Sequence, residues 1–119
     1  LWKFDTGKIS SSTVVKRARH VVTENNRVLK AKESLLNDDI SQFGKLMIES
    51  HNSYSKDFEA STNDVDEIVD RSIQCGALGA RLTGGGFGGF TVSLIEKDKF
   101  SNWYKKISKI YPEEKIFEV

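Results

Sequence analysis

Residues Gly76 to Ile95 hold seven of the chain's nine glycines, and five of them fall at Gly84, Gly85, Gly86, Gly88 and Gly89 around Phe87. Glycine reaches positive φ at little cost and lets backbone approach another surface closely, yet inside regular structure each gives up roughly 0.5–1 kcal/mol relative to alanine. Such a concentration points to function. The spacing Gly84-x-Gly86-x-x-Gly89 matches the dinucleotide fingerprint, which needs a strand before it and a helix after it. Here Phe90, Val92 and Leu94 alternate with Thr91, Ser93 and Ile95, a run of period two that reads as a strand, so that reading fails. A protein-kinase glycine loop does sit in a hairpin, but the catalytic-loop and metal-binding Asp motifs it requires are missing. What remains is a glycine-rich turn between two antiparallel strands, about 80–83 and 90–95. Its backbone N–H groups could form a concavity for a phosphate-bearing ligand. The plain alternative is a packing turn, although five glycines in six positions exceed what a hairpin needs.

The elements that would hold this turn can be traced along the chain. Ser11 or Ser12 caps a long helix in which Val14, Ala18, Val21, Val22, Val28, Leu29, Leu35 and Leu36 recur at three- and four-residue steps, interrupted by Asn25 and Lys32. Asn37, Asp38 and Asp39 end that helix and cap a second with an apolar face of Ile40, Phe43, Met47, Tyr54 and Phe58, and the two form an antiparallel hairpin. Ser61 to Asp64 cap a short helix carrying Val65, Ile68, Val69 and Ile73, which ends near Cys75-Gly76 and feeds the turn. After the hairpin, Phe100, Trp103, Tyr104, Ile107, Ile110 and Tyr111 mark an amphipathic helix stopped by Pro112, and residues 115–119 read as a closing strand. The expected fold is therefore α+β: an antiparallel sheet with helices packed on one face, plus a long N-terminal helix hairpin.

Composition narrows the classes. With 119 residues and 38% hydrophobic content, the chain is one domain or part of a larger protein. Eighteen Lys and Arg against 17 Asp and Glu leave a net charge of +1 with both signs interspersed, so neither nucleic acid nor an anionic membrane is indicated. The single cysteine, Cys75, excludes an internal disulfide framework and fits a reducing compartment, with the cytoplasm as the default. No apolar run reads as a signal peptide or membrane span. The chain opens on Leu1 and reads as a piece of a longer protein.

Three segments together resemble the C-terminal half of the GHMP small-molecule kinases and, within them, the galactokinases. They are Arg17-Ala18-Arg19-His20-Val21-Val22-Thr23-Glu24-Asn25, Glu49-Ser50-His51-Asn52-Ser53-Tyr54-Ser55, and Leu82-Thr83-Gly84-Gly85-Gly86-Phe87-Gly88-Gly89. The last is similar to the third GHMP motif, and the likeness runs over about residues 13–119. It implies a GHMP kinase C-terminal domain, ferredoxin-like, spanning 1–119, and transfer of the ATP γ-phosphoryl group to the C1 hydroxyl of α-D-galactose with Mg2+, in the cytoplasm. It also implies an active site between two domains. The galactose-binding motif, the second GHMP motif and the catalytic Asp and Arg belong to an N-terminal domain that is not in this sequence. By resemblance, Gly84, Gly85, Gly86, Phe87, Gly88 and Gly89 approach the ATP phosphate and sugar, and no catalytic residue or metal ligand is assigned to this chain. The expected partners are galactose, ATP and the chain's own N-terminal domain. The chain alone is expected to be inactive and to expose an apolar patch through which it could self-associate. Two readings compete within the fold, a kinase for another sugar such as N-acetylgalactosamine and a non-catalytic galactose and ATP sensor, and a third is a free-standing anion-binding module.

Other reactive side chains read as structural. His20 and His51 lie on different helices, with no carboxylate or cysteine at metal-ligand spacing converging on both. Arg19 or His20 is expected to pair with Glu24 along the helix, or these residues tie one helix to the next. Cys75 reads as a small buried residue, and Trp103 and Tyr104 as core.

Overall fold

The computed structural model describes residues 12–83 and 90–118. Four α-helices and one hairpin follow each other as α1 (Ser12–Leu36), α2 (Ile40–Lys56), α3 (Asn63–Gln74), β1 (Gly79–Thr83), β2 (Phe90–Leu94) and α4 (Phe100–Ile107), with 3-10 turns at Lys97–Lys99 and Glu113–Lys115. This is the α+β order expected from the sequence. The helix boundaries fall where local chemistry sets them. Asp39 accepts the Gln42 N–H at 3.0 Å and Thr62 accepts the Val65 N–H, each capping an orphan amide of a first turn. Past α3, Gly76 sits at φ 118, the left-handed position that lets a chain leave a helix cleanly.

The strands pair antiparallel in the register Gly79↔Leu94, Arg81↔Val92 and Thr83↔Phe90. Alternation puts Ala80, Leu82 and Ser93 on one face, where Ala80 and Leu82 are fully covered, and leaves Phe90 and Val92 exposed on the other. Helices therefore cover one side of the sheet. Ser72 of α3 meets Ser93 across that face at 2.6 Å, and the Trp103 indole N–H donates to both the carbonyl and the hydroxyl of Ser72. Trp103 and Ile107 close a core with Cys75 and Ala77, and Ile95, Phe100, Tyr104, Tyr111 and Ile116 pack around it. Trp103, Tyr104 and Cys75 thus take the core positions expected of them.

Helix α2 lies against β1 at unusually short range. A Cβ placed on Gly44 would fall 2.5 Å from the Leu78 carbonyl oxygen, and one on Gly79 would fall 2.3 Å from the Gly44 carbonyl oxygen. Both obstacles are backbone, so only glycine fits at either position.

Two expectations need correction. The apolar stripe of α1 is not its buried face, since Val14, Val21, Val28, Leu29, Leu35 and Leu36 are all exposed. The side turned to α2 runs through Ala18, His20, Glu24, Arg27 and Ser34, and it is mostly polar because α2 presents Ser50 and Ser53 as partners. The closing strand is also not formed among the described residues. Glu113–Lys115 instead winds a 3-10 turn after Pro112, the Lys115 N–H bonding the Pro112 carbonyl at 3.0 Å. Ile116 is extended but gives its N–H back to Glu113 and its side chain to the core rather than joining a ladder. Val119 lies outside the described residues.

Candidate functional site

Thr83 and Phe90 are direct partners at the end of the hairpin. The site residues expected from sequence, Gly84, Gly85, Gly86, Phe87, Gly88 and Gly89, lie outside the described residues. What the structure describes is the pair of strands on either side of them and the frame that holds the end of β1.

That frame is anchored on two consecutive residues of α2. The N–H of Leu82, directed off the outer edge of β1, donates to His51 Nδ1 at 3.1 Å. An edge strand leaves such groups unpaired, and a buried one must find a partner. His51 is 3% exposed. An acceptor at Nδ1 fixes the proton of the neutral ring on Nε2, and that N–H donates to Asp66 Oδ1 at 2.8 Å. Asp66 also accepts from Ser61 and Ser55, each at 2.8 Å. Burial works against the ionised Asp66, but the hydrogen bonds from Ser61, Ser55 and His51 outweigh it and hold the carboxyl below the usual carboxylate range.

One residue earlier, Ser50 takes hold of the neighbouring strand residue. Arg81 Nη1 donates to Ser50 Oγ at 2.8 Å while Arg81 Nε donates to the Leu82 carbonyl, and Ser50 in turn donates to the Glu24 carboxylate of α1 at 2.8 Å. A chain of hydrogen bonds therefore runs from α1 through α2 into β1. The seam continues at His20, whose Nδ1 meets Ser53 Oγ at 2.9 Å while Ser53 donates to Asp57. Burial pushes the His20 imidazole pKa down, partly offset by the Glu24 charge. Both histidines thus tie elements of the fold to one another. Glu24, however, binds Ser50 and Arg27 rather than Arg19, which turns instead to Asp57 at 3.4 Å. Glu24 thus makes the helix-to-helix tie to Ser50 and pairs along α1 with Arg27, not with Arg19 or His20.

Between α1, α2 and the open face of the hairpin lies a cavity of about 380 Å³, apolar along Val28, Phe43, Met47 and Val92 and polar at Arg27 and Arg81. Arg27 Nε is buried there without a hydrogen-bond partner. Sequence reasoning did not single out Asp66, Ser50 or Arg81. Ser50 and His51 do lie within Glu49-Ser50-His51-Asn52-Ser53-Tyr54-Ser55, one of the three segments that carry the resemblance, but without a role assigned to either.

Residues 31–113 match the family described as GHMP kinases C terminal. The chain belongs to the GHMP kinase C-terminal family. It is 39% identical over 104 residues to a galactokinase of Lactobacillus helveticus and 42% identical over 111 residues to one of Clostridium acetobutylicum. These matches cover 87% and 92% of this chain but 27% and 28% of the relatives. Among solved structures, the Lactococcus lactis galactokinase complexed with galactose superposes with a TM-score of 0.81 at 37% identity, over 92% of this chain and 29% of that one. The L. major mevalonate kinase in complex with R-mevalonate follows the same fold with a TM-score of 0.70 at 26% identity, over 97% and 37%. The chain thus spans little more than a quarter of the galactokinases it matches, and this GHMP C-terminal unit includes the frame around the glycine turn.

Proposed function

We propose that this chain is the C-terminal part of a galactokinase, with residues 1–119 forming one domain. The observation that carries the reading is the similarity to galactokinases over about nine-tenths of the chain, in sequence and in fold, taking in both strands that flank the glycine turn. In the full-length protein, the C1 hydroxyl oxygen of α-D-galactose attacks the γ-phosphorus of ATP. An O–P bond forms, the bond to the β-phosphate oxygen breaks, and the hydroxyl proton is released, giving galactose 1-phosphate and ADP. Such a transfer depends on positioning and charge stabilisation. The part assigned to this chain is the glycine turn, Gly84, Gly85, Gly86, Phe87, Gly88 and Gly89, whose backbone N–H groups would face the phosphate.

No catalytic acid or base is assigned here. Among the described residues no group of three or more His, Cys, Asp and Glu is placed to hold a metal ion. No step through Mg2+ is assigned to this chain. The chemistry is assigned to the N-terminal domain, and the chain alone is expected to be inactive. That domain is also the partner we assign to the open sheet face, where Phe90 and Val92 are exposed and Val92 lines the cavity together with the exposed Val28 of α1. Without it, the same apolar surface would favour self-association. No described helix is long and apolar enough to cross a membrane. We place the enzyme in the cytoplasm on the strength of its lone buried Cys75 and its proposed substrates.

The test is galactose-dependent ADP formation by the full-length protein, by residues 1–119 alone, and by the full-length Gly86→Val variant. Activity in the first and its loss in the other two is the expected result. A folded full-length protein active only on N-acetylgalactosamine would move the assignment to that acceptor. One that binds galactose and ATP without turnover would be a sensor.

A further inference from the structure

We propose that His51, held in one tautomer by Asp66, is a positioning residue for the glycine turn. It fixes the outgoing end of β1 and thereby the point from which the turn departs. This rests on the reading above that the turn faces the transferring phosphate.

The argument is geometric. Leu82 is two residues from Gly84, and its N–H leaves the outer edge of β1 toward His51 Nδ1 at 3.1 Å. Only the tautomer protonated on Nε2 can accept there. Asp66 selects that tautomer through Oδ1 at 2.8 Å, while Ser61 donates to the same oxygen and Ser55 to Oδ2. The ring is therefore gripped at both nitrogens, as imidazoles in catalytic and metal sites are gripped by a second group that sets tautomer and orientation. Here the gripped atom acts on backbone. The adjacent Ser50 holds the Arg81 side chain, so the strand is fixed on its edge and on its face just before the turn. Gly44 and Gly79 add a third constraint, leaving no clearance for α2 to shift against β1. Three independent contacts on one short strand exceed what a two-stranded ribbon needs in order to pair. Backbone groups that meet a transferring phosphoryl do need such placement, since displacement by about 1 Å can cost about a hundredfold in rate.

The two ring nitrogens can be tested separately in the full-length protein. In His51→Asn the side-chain oxygen sits where Nδ1 does and still accepts from Leu82. In His51→Gln the amide reaches Asp66 in place of Nε2 and leaves Leu82 without an acceptor. Each variant is read at a temperature where its melt shows it folded. We expect His51→Gln to lose about tenfold or more in kcat with a smaller change in the KM for ATP, and His51→Asn to stay within about threefold of the native enzyme. Equal losses in the two variants, or an unchanged kcat in His51→Gln, would overturn the proposal.

Amide exchange of the peptide containing Leu82 and the turn gives a second readout independent of turnover. It should quicken in His51→Gln and not in His51→Asn, and equal exchange in the two counts against the role. If the native protein transfers no phosphate to any sugar, the functional reading fails, and exchange alone decides whether His51 positions the turn. Should His51→Gln fail to fold, Asp66→Ala replaces it. That change leaves the ring in place but frees its tautomer, and it is expected to quicken the same exchange; unchanged exchange would again overturn the proposal.

Discussion

Gly44→Ala separates the effect of local propensity from that of packing, because the two carry opposite signs. Gly44 lies inside α2, where alanine is favoured over glycine by about 1 kcal/mol. Propensity alone would raise the melting temperature by about 4 °C in a domain of this size. The structure reverses this expectation. The new Cβ would fall 2.5 Å from the Leu78 carbonyl oxygen, 2.7 Å from its carbon and 2.9 Å from its Cβ. Two of these atoms are backbone, so no rotamer change relieves the contact, and α2 must move away from β1 by several tenths of an ångström or more. Overpacking of this kind costs about 1–3 kcal/mol. The same movement stretches the His51–Leu82 hydrogen bond from 3.1 Å, and an N–H left without its partner adds about 1–3 kcal/mol. Setting the propensity gain against these costs leaves a net destabilisation of about 1–5 kcal/mol. That corresponds to a fall of about 4–20 °C, measured by circular dichroism melts of the native and variant proteins side by side. A variant that melts at or above the native temperature would show that the close approach of α2 and β1 does not govern stability.

Three further outcomes follow from hydrogen-bonded polar side chains. Because burial lowers the His20 pKa below 6.5, the unfolded chain binds the proton more readily; the associated stability is complete above pH 6.5 and is lost as pH falls through the lower folded value. Glu24, Arg27, Asp57 and Arg81 act on the same ring. Urea midpoints should therefore fall between pH 7.5 and 5.5, and His20→Gln should flatten that slope; an equal slope in both proteins would remove His20 as its source. For Asp66, whose carboxyl is held below 3.8, the contribution is present above that value and is lost only as pH falls through the lower folded pKa. Trp103→Phe removes the donor to the Ser72 carbonyl and hydroxyl and leaves a gap beside Cys75 and Ala77. It should cost about 2 kcal/mol in urea unfolding, and a loss below about 0.5 kcal/mol would mean that the core closes over the gap.

The sequence makes legible whatever is decided within a few residues. Asp39 and Thr62 announce the starts of α2 and α3 because a cap is a contact over three residues, and Gly76 marks the end of α3 because only its backbone tolerates the turn. The alternation from Phe90 onward rules out a helix after the glycine run, and β2 stands there. A buried face is harder to read when its partners are distant. His20, Glu24, Arg27, Ala31 and Ser34 follow a heptad-like spacing on α1, but their polarity suggests an outer face. Only Ser50 and Ser53, more than 25 residues later, make burial of His20 and Glu24 tolerable. The apolar residues that suggested the inner face lie outside instead, which fits a domain that meets a further surface. Residues 115–119 carry a strand-like composition, yet a strand exists only beside a neighbour, and Ile116 finds the core first.

The site divides along the same line. The glycines of the candidate site stand out because five in six positions exceed what a hairpin turn needs. Its frame does not, because Ser50, His51 and Asp66 look like unremarkable polar residues until α2 is laid along β1. The close passage of Gly44 and Gly79 makes that alignment possible, bringing the helix near enough for a side chain to reach a strand amide. A single glycine within an amphipathic helix was therefore the sequence's most direct sign of where the turn is held. Its meaning depends on Gly79, which lies 35 positions along the chain.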